Sequence, residues 1–491
     1  MRKIFIATLG LLLFLQYAQA QSFAGYHTSH YAGIYGVLTN PASAAGSRYK
    51  WDVNIIGVDV KAGNTYASIP KSNLFSPPDK WVRGQDYFLD TASSSRQYGW
   101  AMGEVMMPSV LYSIDEKQAV AFTWRVRGIA NAGNVETVIA NFFGIDYPNP
   151  RFVGKNFSVD YGSVFFHSWN EIGLTYSRVI KDDVTSRWKA GLTLKYLSGT
   201  AAGYGVVNDA TFIMNNRRNA AINTGTLKSA YNEDLDTWGP TNAGNFLKLT
   251  GSPGIGADIG VIYEYRPDGD GFGGYESDSW NPDADTYKFR LGASVTDIGG
   301  IFYKKSPVNR DLDLRTESIN PDSITRKKNE DLRVYYRRVI QNFTPITTYD
   351  GFFMALPTAL HLSGDYNIDG RFFLSANAVI GLFSGQSNVS KNYMITQLQV
   401  TPRFDSKHFG AYLPIVLNRF GQADAGVGFR AGPLIIGSSS IFSNLMRANL
   451  NHADAFIALR VVPIRFKRGE RDGGGGLFRK QRHQVDCPPT K

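Results

Sequence analysis

His361 and Ser363 stand two residues apart, with Asp365 two further on and Asn377 beyond. A hydroxyl nucleophile needs a base within hydrogen-bond reach and a third group to orient that base, a part Asp365 or Asn377 could play. The same spacing also defines one face of a β-strand, where side chains alternate with period two. Ala359, His361, Ser363 and Asp365 then share one face, and Thr358, Leu360 and Leu362 the other. A lipid hydrolase needs its site toward the bilayer, whereas this polar face turns inward. A polar ladder is the expected role, and enzyme activity is not expected.

Basic residues repeat the pattern. Val120, Phe122, Trp124 and Val126 oppose Thr123, Arg125 and Arg127; Trp188, Ala190, Leu192, Leu194 and Tyr196 oppose Lys189, Thr193 and Lys195. Tyr287, Phe289, Leu291, Ala293 and Val295 oppose Lys288, Arg290, Ser294 and Thr296. A cation on a lipid-facing position at mid-bilayer costs roughly 2–4 kcal/mol, so these cations should point into a lumen. Together with Arg403 and Arg430 they could favour an anionic or carboxylate-bearing ligand, as charged rings tune a pore. The competing reading, which the residues favour, is a ladder with Glu171, Asp258, Glu264 and Asp365 that fills the interior. Asp268, Asp270, Asp278, Asp283 and Asp285 could offer oxygen ligands to Ca²⁺, but their spacing matches no EF-hand and a solvated turn is expected. No metal or cofactor is expected, and the single Cys487 forbids an intrachain disulfide.

The elements that must hold these side chains are ribbons of about ten residues, each with one apolar and one polar face. Strands leading away from the periplasm are expected at Trp51–Thr65, Gln118–Gly128, Arg187–Gly199, Tyr287–Phe302, Arg371–Phe383, His408–Asn418 and Gly432–Ser439. Returning strands are expected at Tyr98–Ile114, Phe165–Ile180, Gly254–Arg266, Pro357–Ile368, Tyr393–Phe404, Gln422–Ala431 and His452–Phe466. Such ribbons without a long apolar helix indicate an all-β fold, a transmembrane antiparallel β-barrel of about 14 strands. The composition suits it: 26 Tyr, 31 Phe and 50 Gly, with only 19% charged residues. Turns are short on one side (Asp115–Lys117, Lys181–Asp183, Asn367–Gly370, Asp405–Lys407) and loops long on the other (Ala67–Gln97, Ile129–Val164, Asn208–Leu249, Tyr303–Leu356). Pro267–Asp285 breaks this rule, being either an elaborated turn or the sign of a missed strand pair near Tyr204–Met214.

Residues 1–20 read as a secretory signal peptide, with Arg2-Lys3, an apolar run Ile4–Leu15 and the small-residue site Ala18-Gln19-Ala20. Residues 21–50 are rich in Gly, Ala and Ser and suit a compact hatch at the periplasmic mouth, a free leader being the alternative. The barrel occupies 51–466, and 467–491 is a basic, Gly-rich periplasmic tail. The net charge is +10. Export without a helical anchor points to the outer membrane and its lipid, with both termini periplasmic, and makes nucleic acid no candidate partner.

Thr39-Asn40-Pro41-Ala42-Ser43 and Ser47-Arg48-Tyr49-Lys50-Trp51-Asp52-Val53-Asn54 resemble the opening of the outer-membrane family DUF5723 of Bacteroidota. Phe429–Ser438, Ala453-Asp454-Ala455-Phe456 and Leu356–Leu362 fit it too, so the resemblance spans most of the chain through structural corners. More distantly, Asn40-Pro41-Ala42 is similar to the hatch motif of FadL-type fatty-acid transporters and of PorV-type barrels of type IX secretion. A plain turn explains that tripeptide equally well. The FadL likeness implies passive transport of a small hydrophobic or amphipathic molecule. The PorV likeness implies a non-transporting partner barrel for a secretion-system or surface protein.

Overall fold

A ribbon with one apolar face is stable in hydrocarbon only if every backbone group is paired, and a ring of strands meets that condition. In the computed structural model the chain forms such a ring. The structure describes residues 23–461 apart from 92–95, 145–152, 184, 217, 237–243, 245–246, 250, 268–286, 326, 328–329, 348–349 and 383–391, together with 464–465.

Fourteen strands make the wall. They are β1 (Tyr49–Asn64), β2 (Arg96–Met106, continued by Ser109–Ser113), β3 (Gln118–Glu136), β4 (Asn156–Asp182), β5 (Ser186–Asn216), β6 (Ser252–Tyr265) and β7 (Phe289–Lys304). The second half comprises β8 (Gly351–Ala355 and Ala359–Asn367), β9 (Phe372–Gly381), β10 (Gln397–Asp405), β11 (Phe409–Tyr412 and Ile415–Asn418), β12 (Ala423–Ala425 and Val427–Ala431), β13 (Leu434–Ser438) and β14 (His452–Arg460). Each strand pairs antiparallel with its neighbours in sequence, and β14 closes on β1 with Gly57 opposite Ala458 and Val60 opposite Ala455.

Alternation sorts the two faces. Leu192 and Leu194 on β5 are 44% and 61% exposed, whereas Thr193 and Lys195 are 3% and 4%. Leu174, Leu291, Leu362, Leu374 and Ile457 continue the outer apolar belt around the ring, with Trp51, Trp188 and Tyr366 also exposed on it. An apolar surface of that extent belongs in a bilayer, so this is a transmembrane β-barrel. Among the described residues no helix is long and apolar enough to cross a membrane.

At one end the strands are joined by tight turns, as between Ile114, whose N–H donates to the Gln118 carbonyl at 2.9 Å, and between Ser406 and Phe409 at 2.8 Å. At the other end β5 runs on past the ring and returns through Asn219–Tyr231. Asn219–Tyr231 then pairs with Asp311–Asp313 and Thr316–Ile319, and Thr344–Thr347 is added outside Asp311–Asp313. The helix Leu332–Ile340 buries Val339 against Leu312 and Leu314. The strand pair suspected near Tyr204–Met214 is therefore a hairpin above the wall, and the count stays at fourteen. The signal peptide, the basic tail with Cys487, and the acidic run from Asp268 to Asp285 lie outside the described residues.

One strand boundary needs correction. The reading Tyr393–Phe404 is four residues too long, because β10 begins at Gln397. Asn392–Thr396 leaves the wall and folds inward, where Asn392, Tyr393 and Ile395 are buried. The Tyr393 N–H donates to Asn131 Oδ1 at 3.2 Å, and Met394 packs with Ala359 and Val379. Tyr, Met, Ile and Thr suit a strand well enough that local sequence cannot reveal the departure.

The hatch and the lumen as a candidate functional site

Residues 23–48 fill the lumen at the tight-turn end. Phe23, Ala24, Tyr26, Ile34, Tyr35, Val37 and Ala44 form one buried cluster with inward-facing Met106, Leu111, Ala119, Ala121, Tyr412, Ile435, Phe456 and Ala458 of the wall. Polar ties hold the segment in register. Asp59 accepts from the Phe23 N–H at 2.6 Å, Asp52 accepts from the Ile34 N–H at 2.7 Å, and Ser29 donates to Asp405 at 2.8 Å. The free leader is thereby set aside in favour of the hatch.

Asn40, Pro41 and Ala42 make the tightest seat. Pro41–Ala44 is a single 3-10 turn whose cap is Asn40, with Oδ1 accepting from the Ala42 N–H at 3.0 Å. The Asn40 amide also donates to the carbonyls of Val261 at 3.1 Å and Ala293 at 3.3 Å, reaching the backbone of β6 and β7. That approach needs bare wall. A Cβ on Gly191 would lie 2.4 Å from the Ala42 nitrogen, and one on Gly260 2.2 Å from Asn40 Oδ1. Ser177 clasps the turn from β4, accepting from the Ala45 N–H at 3.1 Å and donating to the Ala42 carbonyl at 3.2 Å.

Above the hatch, carboxylates and cations from five strands meet. Arg127 forks onto Asp297 at 2.7 and 2.8 Å and reaches Glu171 at 3.1 Å. Arg125 bonds Glu171 and lies 3.3 Å from Glu104. Lys195 lies 2.7 Å from both Asp258 and Asp297. Asp297 holds a left-handed backbone (φ 59°) within β7, a conformation rare for a residue with a Cβ. This cluster and the inward segment Asn392–Thr396 stand in the lumen independently of the hatch.

The remaining expected cations divide. Lys189 pairs with Glu264 at 2.6 Å, and Arg403 forks onto Asp365 at 2.8 and 2.7 Å while holding Asp405 at 2.8 Å. Arg290 bonds the Thr28 carbonyl of the hatch and lies 3.5 Å from Asp365. Arg430 bonds the Ser406 and Phe409 carbonyls and lies 4.7 Å over the Tyr31 ring. Lys288 does not join them. It precedes β7, and its ammonium lies 3.3 Å from the Ile368 carbonyl and 4.9 Å over the outward Tyr366 ring. At a strand end a lysine can reach the rim, which alternation alone does not foresee.

Glu171, Asp258, Glu264 and Asp365 thus each hold a cation, as the ladder reading expects. Sequence reasoning missed Glu104, Asp297, Asp52 and Arg460. Arg460 donates to Asp52 Oδ1 at 3.0 Å and to the Tyr31 carbonyl at 3.0 Å, and also bonds the Tyr26 hydroxyl. Its parity with the inward Phe456 and Ala458 was the available signal.

His361 and Ser363 line a polar chamber of about 80 Å³ between hatch and wall. His361 Nε2 is 2.9 Å from the Thr296 hydroxyl, and Ser363 donates to the Gly292 carbonyl at 3.5 Å. Asp365 is taken by Arg403 and Tyr287, so it does not orient His361. Among the described residues no group of three or more His, Cys, Asp or Glu could hold a metal ion.

At the long-loop end a second cavity is far larger, about 950 Å³. Met102, Ile129, Leu235, Ile441, Leu445 and Leu450 give it an apolar lining. A cavity of that size and character suits a drug-sized or smaller apolar molecule.

The model of DUF5723, a family of unknown function, matches residues 41–439. No curated protein matches the chain. Among solved structures, the toluene transporter TbuX of Ralstonia pickettii is 10% identical over 92% of this chain and 97% of that chain, with a TM-score of 0.41. The toluene transporter TodX of Pseudomonas putida is 8% identical over 91% and 97%, with a TM-score of 0.33. The translocator domain of the autotransporter NalP from Neisseria meningitidis is 8% identical over 84% and 88%, with a TM-score of 0.25.

Proposed function

The chain belongs to the DUF5723 family, and from its hatch-filled barrel we propose that it is an outer-membrane protein that passes a small hydrophobic or amphipathic molecule. The tight turns and both chain termini face the periplasm in this reading, and the long loops face outward. The observation that carries it is the apolar cavity of about 950 Å³ at the long-loop mouth, above a lumen that is otherwise filled. A molecule entering from outside meets that cavity first. The lumen cations already hold carboxylates or carbonyls, which supports placing the ligand in the cavity rather than on them.

Filling the cavity tests this. Ile129 points inward and lines it, so Ile129→Trp should remove much of its volume while leaving the outer belt intact. Cells producing the wild-type barrel should take up the apolar dye N-phenyl-1-naphthylamine several-fold faster than cells without it. The variant, at equal surface level and with an intact heat-modifiable barrel, should fall to the background rate. Uptake independent of the protein would sink the proposal.

The sheet of Asn219–Tyr231, Asp311–Asp313, Thr316–Ile319 and Thr344–Thr347 favours a second reading, a partner barrel docking a secretion-system or surface protein. Loops that are merely solvated rarely build their own sheet and buried cluster. Stoichiometric co-purification of one protein, abolished by deleting 219–231, would turn the assignment to that reading.

A further inference from the structure

The large cavity carries more information than its size. Most polar side chains on its lining are already satisfied. Lys61 lies 3.7 Å from Asp59, and Lys71 donates to the Leu445 carbonyl at 3.0 Å. Asp454 accepts from the Ser439 N–H at 2.7 Å and from the Ser440 hydroxyl at 2.5 Å.

Two lining residues differ. His167, 1% exposed, has its Nε2 2.9 Å from the Tyr303 hydroxyl, while its Nδ1 has no partner among the described residues. The ring is fixed by Trp169, 4.5 Å away between centroids, and by Tyr303 edge-on at 5.6 Å. Asn444, 8% exposed, donates through Nδ2 to the Ser440 hydroxyl at 3.1 Å and the His452 carbonyl at 3.2 Å. Those two acceptors orient the amide and leave Oδ1 unpartnered. Buried polar atoms without partners are costly, and an apolar wall that retains two of them is built for something that satisfies them.

Their chemistry selects the head group. Asn444 Oδ1 is an acceptor and needs a donor. His167 Nδ1 is donor or acceptor according to tautomer, and a hydroxyl suits either. A carboxylate offers acceptors alone and would also meet the Asp454 charge, while a plain hydrocarbon leaves both atoms unmet. Resting on the transport reading above, we propose that the cavity selects neutral hydroxyl-bearing apolar molecules, with His167 and Asn444 as its specificity-determining residues.

The test compares three probes of one skeleton, 1-naphthol, naphthalene and 1-naphthoate, by equilibrium dialysis against the full barrel in nanodiscs with empty nanodiscs as blank. One to two hydrogen bonds should make 1-naphthol bind on the order of tenfold tighter than naphthalene, and 1-naphthoate should bind no tighter than naphthalene. His167→Phe and Asn444→Leu should each shrink the naphthol advantage several-fold and leave naphthalene binding unchanged. Asn444 lies on a short loop helix outside the wall, so its variant reports even where His167→Phe fails to fold. Equal binding of naphthol and naphthalene to the wild type, tighter naphthoate binding, or an advantage intact in both variants would overturn the selection. Absence of saturable binding by all three would instead overturn the cavity reading on which it rests.

Discussion

Gly191→Val should expel the hatch from a barrel that still forms. The Cβ of any residue at 191 would sit 2.4 Å from the Pro41 carbonyl carbon and the Ala42 nitrogen, which are backbone atoms of a capped turn and cannot step aside as a side-chain tip would. Overpacking of this kind costs about 1–3 kcal/mol where neighbours can adjust and more where they cannot. The wall itself has no reason to object, since valine suits a strand better than glycine does. The expected result is a protein with normal heat-dependent gel mobility whose hatch is cut by trypsin after Arg48, within minutes rather than hours. In a background lacking residues 22–47 the same substitution should be neutral. A hatch as well protected in the variant as in the wild type would show that Asn40, Pro41 and Ala42 do not seat on β5.

Arg460→Met should be the most damaging single change to the hatch floor. Its guanidinium joins the last strand to Asp52 of the first strand and to Tyr26 and Tyr31 of the hatch, all within the lumen. Asp52 is fully buried, and losing its cation leaves it only the Ile34 N–H among these partners. Stranding one member of a buried pair typically costs about 3–5 kcal/mol, whereas removing both charges is often close to neutral. Denaturant titration of the folded, heat-modifiable fraction should therefore show a large drop for Arg460→Met and substantial recovery in Asp52→Asn/Arg460→Met. If the double variant is no better than the single one, the pair does not act as a unit.

Both effects depend on contacts that local sequence could only half reveal. The wall was readable because bilayer and lumen impose opposite demands on alternate residues, as Leu192 and Leu194 against Thr193 and Lys195 show. The same alternation could not say where the bilayer ends, so β5 continues to Asn216 with no change of period to mark its emergence. Nor could it match inward charges that meet at one height. Arg460 and Asp52 are 408 positions apart, and Arg127 and Asp297 are 170 apart. Asp297 faces the cluster through a left-handed kink that no composition signals. Lys288 shows the opposite failure, a residue of correct parity too near a strand end for parity to bind it. The hatch was legible as small and Gly-rich, but its seat required knowing that Gly191 and Gly260 stand together, paired across β5 and β6.

The most direct test of the transport assignment is native mass spectrometry of the protein released from its own outer membrane in mild detergent. The account predicts a stoichiometric small-molecule adduct, apolar in composition and carrying a hydroxyl, that is lost from the Ile129→Trp variant. A barrel that carries no adduct but is released with one protein at fixed ratio would contradict it, and would make the long-loop sheet the functional surface.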